Sequence, residues 1–87
     1  MPKRRTVGTE NMVGQNVVLL RKRIKMNQDT LLSRLQVRGI DITQSTLSDL
    51  EGQKRKVSDR ELLALSDALG VSLETLFHPE KDSRQGM

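Results

Sequence analysis

Residues 43–56 read TQSTLSDLEGQKRK, and their types define a chemistry before any fold is assumed. Gln44, Ser45, Ser48 and Asp49 offer compact hydrogen-bonding groups. A glutamine amide can bond adenine in two-pronged fashion, a serine hydroxyl suits several bases, and an aspartate can accept from the amino group of cytosine. Between Thr43 and Gln53 there is no Lys or Arg, yet Lys54, Arg55 and Lys56 follow at once. Groups able to read and groups able to attract a polyanion therefore sit side by side along the chain. Two acids, Asp49 and Glu51, stand in the same stretch and need a reason to be there. The competing reading is an ordinary solvated face rich in Ser and Asp.

On a helical wheel Gln44, Ser45, Ser48 and Asp49 share an arc of roughly 140°, with Leu47 and Leu50 on the other side. Short side chains on an exposed face let a helix backbone come close to base edges. Glu51 falls at roughly 340° from Gln44, nearer the leucines than the polar arc. The two acids are thus expected to separate, Glu51 turning inward and Asp49 staying on the exposed face.

The rest of the chain must position that helix. It has 87 residues, enough for one small domain, with one Phe, no Tyr, no Trp and no Cys. The core is therefore aliphatic, and disulfides and thiolate metal sites are excluded. Net charge is +4, distributed as +6 over residues 1–25, +1 over 26–56 and −3 over 57–87. A basic front and an acidic rear suggest one face for a polyanion. No apolar run approaches the roughly 18 residues of a membrane span, and no signal-peptide pattern opens the chain, so a soluble cytoplasmic protein is expected.

Residues 1–12 read as a flexible basic arm carrying Lys3, Arg4 and Arg5. Val13, Val17, Leu20 and Ile24 form one stripe of a first helix, with Arg21, Lys22, Arg23 and Lys25 in its last turns. Asn27 caps a second helix containing Leu31, Leu32 and Leu35, and Gly39 stops it. Thr43 caps the third helix and Gly52 ends it. Ser58 and Glu61 form a capping box for a fourth, in which Leu62, Leu63, Leu65, Ala68 and Leu69 follow at helical spacing. Ser72 caps a short fifth helix with Leu73, Leu76 and Phe77 expected to face inward. Residues 78–87 read as a polar tail. The fold expected is all-α, a compact five-helix domain over 13–77.

Three stretches resemble one family in order and spacing. VGQNVVLLRKRIKMNQ at 13–28 is similar to the opening of lambda-repressor-like helix-turn-helix proteins of the Cro/repressor type. TQSTLSDLEGQKRK is similar to their recognition helix and the basic loop after it, and ELLALSDALGVSLETLF at 61–77 to their closing helices. The resemblance implies a helix-turn-helix formed by helices two and three, with the third in the major groove of duplex DNA. It places Gln44, Ser45, Ser48 and Asp49 toward the bases. It places Gln28, Thr43, Lys54, Arg55 and Lys56 at phosphates, and pairs Arg21 with Glu51 as a structural ion pair. Two features depart from the family pattern. Leu32 replaces a small residue, and the connection Gln36–Ile42 exceeds the usual tight turn, with Ile40 and Ile42 available to tack it to the core.

The function so implied is a sequence-specific transcriptional regulator, a repressor, acting as a homodimer at least on DNA, with its dimer surface near the C-terminal helices. The alternative on the same fold is an antitoxin or other partner-binding module with DNA binding secondary. The short polar segment HPEKDSRQGM ranks that second. No nucleophile–base set, Gly-rich phosphate loop or metal-spaced cluster is present, and His78 stands alone, so no enzyme, metal or cofactor is expected. Neither is a small-molecule ligand domain.

Overall fold

The computed structural model describes residues 8–84, so Lys3, Arg4 and Arg5 of the expected arm lie outside the described residues. Helices α1 (Gly14–Arg23), α2 (Gln28–Val37), α3 (Gln44–Glu51), α4 (Asp59–Leu69) and α5 (Leu73–Phe77) follow in order, and a short 3-10 turn covers Pro79–Lys81. There are no strands among the described residues. Asn27, Thr43, Ser58 and Ser72 each accept a backbone N–H from the first turn of the helix they precede, which ends the chain's extended run and fixes each helix start. At Thr43 and Ser58 the bond is reciprocated by Thr46 and Glu61.

The core is aliphatic: Val17, Leu20, Leu31, Leu47, Leu50 and Leu65 are fully buried. α3 packs on α1 and α2, and α4 packs on α2, α1 and α5. Leu32 is half-buried against this core. The long connection after α2 is folded rather than slack. Helix α2 runs to Val37, and Gly39 at φ +86° turns the chain in a conformation that side chains resist. The Ile40 N–H then bonds the Leu35 carbonyl, the Gln36 amide donates to the Ile42 carbonyl, and Ile42 is buried.

Helix α5 corrects the inward set expected from sequence. Leu76 is buried and Thr75 joins it, but Leu73 and Phe77 are 41% and 36% exposed. Leu73, Leu76 and Phe77 share an arc of about 100° on a wheel, but the core meets the side of the helix between Leu76 and Thr75, which leaves Leu73 and Phe77 at or past its edge. In α4, likewise, Ala64 is buried while Leu63 points outward.

Both chain ends are tied down as far as they are described. Asn11 accepts the N–H groups of Val13 and Gly14 and donates to the carbonyls of Leu50 and Arg55. Gly14 sits directly on the end of α3: a Cβ there would press on the Leu50 and Glu51 carbonyl oxygens, the latter at 2.8 Å. Both obstacles are backbone and cannot swing aside. Gly14→Ala should therefore cost about 1–3 kcal/mol as overpacking, read as a lowered thermal midpoint. An unshifted midpoint would show that α1 and α3 have room to part.

Beyond α5, residues expected as polar tail pack on the bundle. Arg23 donates to the Pro79 carbonyl, Arg84 donates to the Leu69 carbonyl at the end of α4, and Asp82 is buried between them. Arg84 Nε lies 3.0 Å from one Asp82 oxygen and Arg23 Nη1 3.6 Å from the other. The hydrogen bond from Arg84 holds the Asp82 carboxyl below its ordinary range, outweighing the upward push of burial. A depressed folded pKa contributes stability that is present above the ordinary carboxylate range and lost as pH falls through the lowered value. Acid titration should accordingly loosen residues 79–84, seen as faster amide exchange there. In Asp82→Asn this acid-dependent step should vanish.

Candidate nucleic-acid interface

Helix α3 is built to show one face and anchor the other. Leu47 and Leu50 are fully buried and Glu51 is nearly so, while Gln44, Ser45, Thr46, Ser48 and Asp49 are exposed. The anchor is polar as well as apolar. Arg21 of α1 holds the Glu51 carboxylate with two parallel bonds, Nε to Oε2 at 2.8 Å and Nη2 to Oε1 at 2.9 Å. Its Nη1 reaches back to the Met26 carbonyl at 3.2 Å, tying the pair to the α1–α2 connection. The planar guanidinium suits such a two-point grip. The hydrogen bond with Glu51 raises the Arg21 pKa above its ordinary value, against the downward pull of burial.

Gln28, at the first position of α2, joins this pair to the exposed face. Its Nε2 donates to Glu51 Oε1 at 2.9 Å. Its Oε1 accepts from Gln44 Nε2 at 3.3 Å and lies 3.4 Å from Ser48 Oγ. A continuous run of hydrogen bonds thus leads from α1 through Glu51 and Gln28 to two side chains on the outer face of α3. The sequence places Gln28 at a helix start but carries no sign that its amide joins α2 to three side chains of α3.

The basic loop after α3 divides. Lys54 and Lys56 are exposed, and neither forms an ion pair among the described residues. Arg55 is engaged within the chain. Its guanidinium spans the Glu61 carboxylate, with Nη2 to Oε2 at 2.7 Å and Nη1 to Oε1 at 3.2 Å, and its Nε donates to the Thr46 carbonyl. Burial pushes the Glu61 carboxyl up, but the bonds from Arg55 and Ser58 prevail and hold it below its ordinary value. Arg55 thereby fastens the loop to α3 and to the start of α4. The loop also adopts a left-handed residue, Gln53 at φ +60°, and the Gln53 amide donates to the Asn11 carbonyl. Thr43 is engaged in capping, its N–H bonded to Thr46 Oγ1. Thr46, absent from the expected site, supports it: it closes the cap on which the orientation of Gln44 and Ser45 depends.

Asp49 is the one acid left on the outer face of α3, exposed and without an ion pair among the described residues. The arrangement therefore joins a rigid row of neutral hydrogen-bonding groups, one carboxylate, and two unpaired ammonium groups just beyond the helix. Comparison with protein families adds the deciding observation: the description of a Cro/C1-type HTH DNA-binding domain matches residues 16–82. The chain belongs to this family. Cro/C1-type HTH domains are DNA-binding regulators, and this one binds DNA through a helix-turn-helix domain. The match continues past α5 through the 3-10 turn to Asp82, within the segment that packs on the bundle after Phe77. No curated protein and no solved structure matches this Cro/C1-type chain. Among the described residues no helix is long and apolar enough to cross a membrane, and no cluster of His, Cys, Asp and Glu is suited to a metal ion.

Proposed function

We propose that this Cro/C1-type domain is a sequence-specific transcriptional repressor that reads the major groove with α3 and binds its operator as a homodimer. The observation that carries the reading is the exposed row Gln44, Ser45, Ser48 and Asp49 on a helix whose back is fixed by Arg21 and Glu51. Readout needs side chains held in register by a rigid support, and the Arg21–Glu51–Gln28 linkage supplies it. Lys54 and Lys56 bind phosphates, aided by Gln28 and Thr43 at helix starts, where first-turn N–H groups lack carbonyl partners within the helix. Arg55 serves by shaping the loop. Repression by occupancy requires only tight binding at a site that overlaps a promoter.

Selection of binding sites from random duplex DNA tests this. An enriched sequence with two half-sites about 34–36 Å apart is expected, with affinity falling as salt rises. Enrichment of nothing, together with salt-independent binding, would remove the regulator reading.

A further inference from the structure

The outward face of α4 is not needed by the DNA-reading surface, yet its composition is far from an ordinary solvated face. Arg60, Leu63 and Asp67 fall within an arc of about 60°, and Leu63 is 60% exposed. Arg60 is exposed with no partner among the described residues. Asp67 bonds Arg38 through one oxygen, with its side chain still 70% exposed. Arg60 and Asp67 cannot satisfy each other within one chain, because seven residues of helix separate them by about 10 Å. A groove runs along one flank of this strip, lined by the apolar Leu62, Leu63, Leu73 and Phe77 together with Asp59 and Arg60.

These residues have a symmetry that a second copy would satisfy. When two identical helices pack antiparallel about a two-fold axis, a residue a given distance before the centre meets the residue the same distance after it. With the centre between Leu63 and Ala64, Arg60 of each chain meets Asp67 of the other. Both residues lie on the same flank of Leu63, so an axis crossing the two helices brings them together twice. On the other flank the same operation sets the Leu73–Phe77 groove of one chain beside that of its copy. We propose that this face of α4 is a homodimer interface, in which two copies pack α4 antiparallel around Leu63 and exchange Arg60–Asp67 ion pairs. A specific complex typically buries roughly 800 Å² per partner, and the flanking groove of Leu62, Leu73 and Phe77 extends the strip with further apolar surface. The inference names the surface of the dimer proposed above and is independent of how α3 meets DNA.

Mass measurement in solution without DNA, by light scattering across a dilution series, tests it. The wild-type chain should give the dimer mass at high concentration. Arg60→Asp sets acid against acid at both contacts, and Asp67→Arg sets base against base, so each alone should be a monomer. An equimolar mixture of the two should regain the dimer mass, because every contact in the mixed pair has opposite charges. Circular dichroism verifies that each variant is folded, since Asp67 also bonds Arg38. Should Asp67→Arg unfold, Leu63→Asp at the exposed centre takes its place and should also lose the dimer. A wild type that stays monomeric, single variants that dimerise like it, or a mixture that stays monomeric would overturn the interface. Binding of Leu63→Asp to a duplex carrying one half-site should equal that of wild type. Failure of both chains to bind that duplex would count against DNA reading while leaving the mass result to judge the interface.

Discussion

Arg21→Met will lower the folding stability by about 3–5 kcal/mol, the usual cost of stripping a buried carboxylate of its cation. Glu51 is 93% shielded at its side chain, and without Arg21 it keeps the hydrogen bond from the Gln28 amide. A small domain has only about 5–15 kcal/mol in total, so the variant should be marginal at room temperature. Glu51→Gln should cost less, because the neutral amide needs no counter-charge and Arg21 retains the Met26 carbonyl. The double variant should be more stable than the sum of the two losses implies, with a coupling of about 0.5–3 kcal/mol. Denaturant unfolding of all four proteins measures it. Strict additivity would mean that the pair is a bystander and that leucine packing alone holds α3.

That clamp shows what the sequence discloses and where it stops. The position of Glu51 on the helical wheel, beside Leu47 and Leu50, requires only the helix period, and burial of Glu51 follows from it. Helix starts are equally legible, because capping by Asn27, Thr43, Ser58 and Ser72 is a bond between near neighbours. Contacts across the chain are not. Nothing in the types of residues 8–12 announces that Asn11 will brace Leu50 and Arg55, since that depends on where α3 ends in space. The same holds for Arg55, one of three consecutive cations: Glu61 captures it because the loop delivers the start of α4 to its side. The outer face of α4 is legible from the same period: Leu62, Leu65 and Leu69 fall within about 60° of a wheel and Leu63 about 100° beyond them, and Leu63 is 60% exposed.

The polar run from Arg21 to Gln44 also gives the two carboxylates different physical roles. Glu51 is spent inside, where its charge is neutralised by Arg21, so it adds no repulsion at the surface that meets DNA. Asp49 keeps its charge outside. A carboxylate there opposes any close phosphate and favours a donor such as the cytosine amino group. Negative charge on α3 is thus compatible with attraction to a polyanion, provided the cations lie past the helix end. Lys54 and Lys56 occupy that place.

This division of labour predicts opposite signatures for two alanine variants. Gln44→Ala should reduce discrimination at one base pair by about 1–3 kcal/mol and leave preference elsewhere intact. The loss stays local because Gln28 remains held by Glu51 when its 3.3 Å contact with Gln44 is removed. Lys54→Ala should instead weaken binding to every sequence by a similar factor and reduce the salt slope by about 1. Site selection gives the first signature, and isotherms at several salt concentrations give the second. Both substitutions are at exposed positions outside the core, so neither effect should be confused with unfolding. If Gln44→Ala weakened all sequences alike while Lys54→Ala changed base preference, α3 would have to meet the duplex by its C-terminal end, with the loop in the groove and Gln44 at the phosphates.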